Sequence, residues 1–224
     1  MIITIDGPTA SGKSSVAKAL AEQLGWYYLN TGMLYRAVTY LLLNNYKYTL
    51  ENLTNVAPED LAACTDHSRF TYHYDPVDGV EIVYDDVTIT QYLKDASIDQ
   101  AVCLISPQPH LREAMCEFQR QLAQQYDVVT DGRDTGSVVF PHAQYKFFLT
   151  ASLDVRAQRW QKDQKKRGHD YTLQECKERI AYRDAKDQER GHSPLVIPQG
   201  GIVIDNSTLD FAQTIEVFLK YIQE

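Results

Sequence analysis

The segment Gly7-Pro8-Thr9-Ala10-Ser11-Gly12-Lys13-Ser14 constrains this chain more than any other part of it. It matches G-x-x-x-x-G-K-[ST] without exception. Before it lies Ile2 to Ile5, a β-branched apolar run that ends in Asp6 and reads as a buried strand. After it, from Lys13 to Leu24, Val16, Leu20 and Leu24 recur four apart and Gly25 is a natural stop, so a helix is expected. Strand, glycine loop and helix together give the match its meaning. Gly7 and Gly12 let backbone N–H groups turn inward around a phosphate, and the helix N-terminus adds partial positive charge. Lys13 can reach β- and γ-phosphates, and Ser14 can ligate Mg²⁺.

The rest of the chain alternates in the same way. Trp26 to Leu29 reads as a second strand and Gly32 to Asn44 as a second helix. From Pro58 to Ile105 the pattern changes to short segments rich in acids. There Phe70 to Tyr74 and Val80 to Tyr84 flank Asp78-Gly79 and predict a hairpin, the candidate for an inserted subdomain. Leu111 to Tyr126 reads as helix, Asp127 to Thr130 and Tyr145 to Leu149 as strands. Leu153 to Arg167 reads as helix, and a second, opened by the capping box Thr172-Leu-Gln-Glu175, runs to Glu189. Ile202 to Ile204 and Ser207 to Ile222 close the pattern as strand and helix. The fold class is α/β with a parallel sheet.

Composition narrows the function classes. With 44% apolar and 23% charged residues the 224-residue chain is ordinary globular protein. Its longest aliphatic run, Leu41-Leu42-Leu43, is far short of a membrane span, and the N-terminal residues show no secretory pattern. Cys64, Cys103, Cys116 and Cys176 have no CxxC spacing and are expected as reduced thiols of a cytoplasmic protein. A net charge of −8 disfavours nucleic acid as partner. Residues 51–99 hold eleven acids against Arg69 and Lys94, whereas residues 156–167 hold six basic residues against Asp163, so anion binding is local.

No guanine-reading N-K-x-D is present. The arginines are the second signal: Arg36, Arg112, Arg133, Arg156, Arg159, Arg183 and Arg190. Arg183, Asp187 and Arg190 are spaced i, i+4, i+7 and would share one helical face, as a phosphate-and-sugar clamp or as a surface salt-bridge ladder. Asp131-Gly132-Arg133-Asp134 closes a strand where ligands bind in open α/β sheets. Asp131 could support a Mg²⁺ shell, Arg133 an acceptor phosphate and Asp134 a base. Thr31, Tyr35 and Arg36 follow the second strand in the same way.

Along its whole length the chain resembles the bacterial-type cytidylate kinases of the nucleoside monophosphate kinase superfamily. The matching pieces include residues 5–15, N-T-G-M-L-Y-R-A-V-T (30–39), H-L-R-E-A-M (110–115), D-G-R-D-T-G-S-V-V-F-P (131–141), A-S-L-D-V-R-A-Q-R (151–159) and Y-R-D-A-K-D-Q-E-R-G-H-S-P-L (182–195). The resemblance implies a single P-loop kinase domain over 1–224. Its five-stranded parallel sheet would be flanked by helices, with a monophosphate-binding insert at about 58–105 and a helical lid at about 153–190.

It implies transfer of a phosphoryl group from ATP to CMP, and also to dCMP, with Mg²⁺ bound at Ser14 and supported by Asp131. Gly7, Pro8, Thr9, Ala10, Ser11, Gly12, Lys13, Ser14 and Ser15 would hold ATP. Arg36, Arg133 and Arg190 would hold the monophosphate's phosphate, Arg183 and Asp187 its ribose. Arg112 and Asp134 would read cytosine, with Thr31 and Tyr35 beside it. Lys13, Arg133, Arg156, Arg159 and Arg190 would stabilise the transferring group, Arg156 and Arg159 from the lid. The family commonly has a serine on cytosine where this chain has Cys103; a thiol is a weak donor, so that contact is lost or passes to Ser106. The expected partners are small molecules only, with no membrane or nucleic acid, and the expected state is a monomer. Two other readings stay open: a P-loop kinase acting on UMP, AMP or a non-nucleotide, and a switch that hydrolyses ATP slowly.

Overall fold

The computed structural model describes residues 1–223. Two compact units divide the chain: one formed by Met1–Tyr28 with Asp127–Glu224, the other by Leu29–Tyr126.

The first unit is built on strands β1 (Ile2–Asp6), β2 (Tyr27–Asn30), β6 (Val128–Gly132), β7 (Tyr145–Thr150) and β8 (Ile202–Asp205), in the order β2-β6-β1-β7-β8, with the boundary between units falling inside β2. β1 pairs in parallel with both β6 and β7, and β7 with β8. Ile3, Ile5, Val128, Val129, Phe147 and Leu149 are fully buried, the continuous apolar character that a parallel sheet covered on both faces demands. Helix α1 (Lys13–Leu24) buries Val16, Ala17, Leu20 and Ala21 and stops at Gly25, whose φ of +68° satisfies the last carbonyls as a left-handed cap. Helices α6 (Leu153–Lys166) and α7 (Leu173–Glu189) pack on each other around Ala157, Cys176 and Ile180. The expected capping box at Thr172 and Glu175 is formed in both directions. Helix α8 (Phe211–Gln223) closes the unit and starts four residues later than its apolar pattern suggests.

One element was not legible in the sequence. Between β6 and β7 the chain winds one π-helical turn, Thr135–Val139. Val138 and Val139 both donate to the carbonyl of Asp134, and Phe140 donates to that of Thr135.

The second unit holds α2 (Thr31–Asn44), α3 (Pro58–Cys64), a three-stranded antiparallel sheet of β3 (Phe70–Asp75), β4 (Gly79–Tyr84) and β5 (Val87–Thr88), α4 (Ala96–Ile105) and α5 (Pro109–Ala123). The hairpin is the expected one, with Thr71 opposite Val83. Asp75 closes its turn by accepting from the N–H groups of Val77 and Asp78 at 2.7 and 3.0 Å. On β3 burial alternates, with Phe70, Tyr72 and Tyr74 inward. The short β5 and helices α3 and α4 stand where the sequence offered only short segments. Pro58 starts α3, and Asn30, whose side chain accepts from Met33 N–H, caps α2.

Among the described residues no helix is long and apolar enough to cross a membrane, and none of the four cysteines is in a disulfide.

Candidate active site

The loop from Gly7 to Ser14 joins the C-terminal end of β1 to α1. Its shape is fixed sterically at both ends. A Cβ on Gly7 would lie 2.1 Å from the carbonyl oxygen of Leu149 in β7, so only glycine fits. Gly12 caps α1 with φ +93°, and Ala10 is also left-handed at φ +60°, a strain of roughly 1–2 kcal/mol for a residue with a Cβ. Ala10 packs against the buried cluster between α6 and α7, so the tightest turn of the loop is held by the helical hairpin.

Lys13 is buried, and its Nζ donates to the Pro8 carbonyl at 3.0 Å. Burial, reinforced by the neighbouring Arg133 guanidinium, lowers its pKa to about 7. Burial and the arginines outweigh the nearby carboxylates of Asp131 and Asp187, so a phosphate placed against the amine would favour its charged form. Ser14 Oγ donates to Asp131 Oδ2 at 2.6 Å, and Tyr28 donates to the other oxygen of Asp131 at 2.8 Å. A hydroxyl and a carboxylate at a helix start form an all-oxygen donor set that suits Mg²⁺ shared with phosphates. No group of three or more His, Cys, Asp or Glu that could hold a metal by itself occurs among the described residues.

Around Thr9 the charged residues form one network. Thr9 N–H donates to Asp184 Oδ1 at 2.8 Å. Arg156 donates to the Thr9 carbonyl at 3.0 Å, to the Ala151 carbonyl at 2.9 Å and to Asp184. Arg133 pairs with Asp187 at 2.6 Å and reaches Thr9 Oγ1 at 3.3 Å. Arg190 lies 3.6 Å from the other oxygen of Asp187 and donates to the Ser193 carbonyl. Burial alone would raise the pKa of Asp187; Arg133 and Arg190 outweigh it and hold the carboxylate below its ordinary value.

Two expectations change here. Arg190 does not continue the face of Arg183 and Asp187, because α7 ends at Glu189 and Arg190 is its extended C-cap. Nor do Asp187 and Arg190 form a surface ladder: their side chains are only 17% and 6% exposed. Arg183 is half-buried and close enough to Lys13 to depress its pKa further.

Beside the loop a cleft of about 360 Å³ is lined by Lys13 and Ser14 on one side and by Arg159, Lys162 and Lys166 of α6 on the other. Of the two arginines expected on a lid, Arg159 lines it, whereas Arg156 is engaged by Thr9 and Asp184. Ser15 is exposed on the first turn of α1. A second cleft of about 290 Å³ is lined by Gly12, Val16, Arg159, Asn206, Asp210 and Phe211. Asn206 was missed in the sequence. It receives Arg159 at 2.9 Å and donates to the Ser11 carbonyl at 3.2 Å. Its signal was positional: it directly follows β8, at the edge where open α/β sheets bind ligands. Asp184 was missed for lack of any motif role.

In the second unit, Thr31 and Tyr35 are buried on α2. Arg36 donates to the Leu93 carbonyl at 3.1 Å and pairs with Asp99, a residue the sequence did not single out. Arg112 is only 4% exposed, lies over the Tyr35 ring at 5.4 Å and donates to the Ser106 carbonyl at 2.9 Å. Cys103 is exposed on α4, its thiol 3.6 Å from the Asp99 carbonyl. Ser106 is engaged by Arg112 through its backbone oxygen.

Comparison with known proteins places this arrangement in a family. The family model described as cytidylate kinase matches residues 3–224. The cytidylate kinase of Caldanaerobacter subterraneus subsp. tengcongensis is 39% identical over 96% of this chain and 91% of its own length. The chain belongs to the cytidylate kinase family. A cytidylate kinase of Streptococcus pneumoniae is similar at 37% identity over 96% of this chain and 93% of its own. The family is the one that the residues of the phosphate loop, the 131–141 run and the 182–195 run resemble. Among solved structures, shikimate kinase from Bacteroides thetaiotaomicron matches at 13% identity with a TM-score of 0.46, covering 100% of this chain and 96% of that one.

Proposed function

We propose that this chain transfers the γ-phosphoryl group of ATP to CMP, and also to dCMP, releasing ADP and CDP or dCDP. The observation that carries the reading is the buried Lys13 on a sterically fixed phosphate loop, with the Arg133–Asp187–Arg190 group in the same unit. Family membership supplies the acceptor.

The attacking atom is an oxygen of the CMP phosphate, already ionised near neutral pH, so neither a protein nucleophile nor a dedicated base is required. Catalysis is alignment and charge neutralisation. The loop N–H groups and Lys13 hold the ATP phosphates. Arg159, with Lys162 and Lys166, shields them from water in the 360 Å³ cleft. Adenine is assigned to the cleft at Asn206 and Phe211. Arg133 and Arg190 take the acceptor phosphate, and Arg183 with Asp187 its ribose. On the family resemblance Asp134 is assigned to the cytosine amine and, within residues 29–126, Arg112 to cytosine's acceptor atoms. Thr31, Tyr35 and Arg36 are assigned to the acceptor within residues 29–126. Ser14 and Asp131 would hold Mg²⁺, which supplies charge neutralisation on the phosphates when bound. We read the protein as a cytoplasmic monomer with small-molecule partners only.

The test is ADP release from Mg·ATP with CMP, dCMP, UMP, AMP or GMP offered separately against a no-acceptor control. CMP and dCMP should stimulate release far above the others. Release that ignores every acceptor would favour the slow ATP switch instead.

A further inference from the structure

Asp6 is the last residue of β1, immediately before the phosphate loop, and it is completely buried. It has no place in the mechanism above, yet it accepts three hydrogen bonds from one short stretch of chain. Thr135 donates to Oδ1 through its N–H and its hydroxyl, both at 2.8 Å, and Gly136 N–H donates to Oδ2 at 2.7 Å. That stretch opens the π-helical turn, and it begins two residues after Arg133 and one after Asp134. The two strands involved are parallel neighbours, with Asp6 opposite Gly132.

The contact leaves little room for adjustment. A Cβ on Gly136 would lie 2.6 Å from Thr4 Oγ1 and 3.3 Å from Asp6 Oδ2, so the turn sits directly on the strand. The same turn immobilises the Asp134 carbonyl through two N–H donors. Three donors do not fully offset the cost of burying this carboxylate: burial still raises its pKa to about 6. Apolar packing between two sheet strands would hold them together without that cost. A directional acceptor adds angular register between the two chain segments that leave the sheet side by side. One is the donor loop; the other carries Arg133 and Asp134.

We infer that Asp6 is a positioning residue for phosphoryl transfer, fixing Arg133 and Asp134 in register with the phosphate loop through Thr135 and Gly136. The inference rests on the assignment of Arg133 and Asp134 to the acceptor. In an in-line transfer a displacement of about 1 Å at the acceptor costs on the order of 10²-fold in rate, while ATP affinity depends on the loop itself.

The test uses Asp6→Asn in the full-length protein, with kcat, the KM for CMP and the Kd for ATP measured separately, alongside a melting curve. The amide keeps the shape but turns an N–H₂ toward donors. The expected result is a fall in kcat of at least about tenfold and a raised KM for CMP, with ATP affinity changed less than twofold. Should Asp6→Asn fail to melt cooperatively, Thr135→Val removes one of the three bonds and leaves the backbone two. It should lose about two- to fivefold in kcat, and Thr135→Ser, which keeps the hydroxyl, should restore it. A folded Asp6→Asn with kcat and KM for CMP within twofold of wild type overturns the inference. So does a loss of ATP affinity in step with the loss for CMP, which marks a general structural role. If Asp6→Asn does not fold, Thr135→Val with wild-type kinetics overturns it. Wild-type protein that ignores CMP would instead sink the functional reading on which the inference rests.

Discussion

Charged side chains are held differently in the two units. Around the phosphate loop, Arg156, Asp184 and Arg159 bond to the backbone of Thr9 and Ser11, and Arg133 reaches the Thr9 hydroxyl. In residues 29–126 the arginines are held instead by a carboxylate, a ring and carbonyls of that unit's own helices and loops. Arg36 binds Asp99 and the Leu93 carbonyl, and Arg112 rests on Tyr35 and the Ser106 carbonyl. The difference fits the proposed assignment of the ATP phosphates to the loop and of cytosine to Arg112. Phosphate is a fixed, symmetrical anion that backbone N–H groups and a helix start can bind, so its site follows from chain geometry. A pyrimidine presents an ordered set of donors and acceptors, so its site depends on where individual side chains point.

If that contrast is sound, variants on the two sides must fail in different ways. The largest effect should come from Lys13→Ala. Loss of the ammonium that meets the transferring charge should lower kcat about 10²–10³-fold with the circular dichroism spectrum intact. Near-normal turnover would remove Lys13 from the mechanism.

Arg112→Ala should act on the other side. Removing a charged donor costs about 1.5–3 kcal/mol, so the KM for CMP should rise roughly 10- to 100-fold while that for ATP stays put. An equal rise in both would make Arg112 structural.

A subtler distinction lies in protons. Lys13 titrates near 7 in the free protein, so at pH 7.5–8 it is largely neutral, and bound phosphates favour its charged form. ATP binding should therefore take up as much as about one proton at that pH. Uptake should fade near pH 6, where the amine is already protonated. Calorimetry in buffers of different ionisation enthalpy measures it, and Lys13→Met should abolish it. CMP binding alone should show no such uptake.

The smallest effect is expected at Cys103→Ser. The thiol faces the Asp99 carbonyl on its own helix and is exposed, so the KM for CMP should move less than about threefold. A larger gain would place position 103 against the base after all.

How much of this was legible follows the same line. The phosphate loop, the strands around it and the capping box at Thr172 depend on local spacing, and the structure reproduces them. The hairpin at 70–84 was readable because alternation and turn chemistry coincide. Helix α3, seven residues long, is too short for periodicity to speak, whereas α4 buries Ile98, Ala101, Val102 and Ile105 at helical spacing, a pattern that was readable and was missed. The π-turn at 135–139 is tied to Asp6, which is 130 residues from Gly136 in sequence. Asp99, Asp184 and Asn206 were missed for the same reason: each matters through long-range partners, Arg36 for Asp99, Arg156 and Thr9 for Asp184, Arg159 and Ser11 for Asn206, and no spacing rule encodes such pairings.

The central claim is that one phosphoryl group passes directly between two bound nucleotides. Following the γ-phosphoryl group of isotopically labelled Mg·ATP tests it most directly. In the presence of CMP the label should appear in CDP, with little in inorganic phosphate. Label accumulating in inorganic phosphate at the same rate with or without CMP would contradict the account.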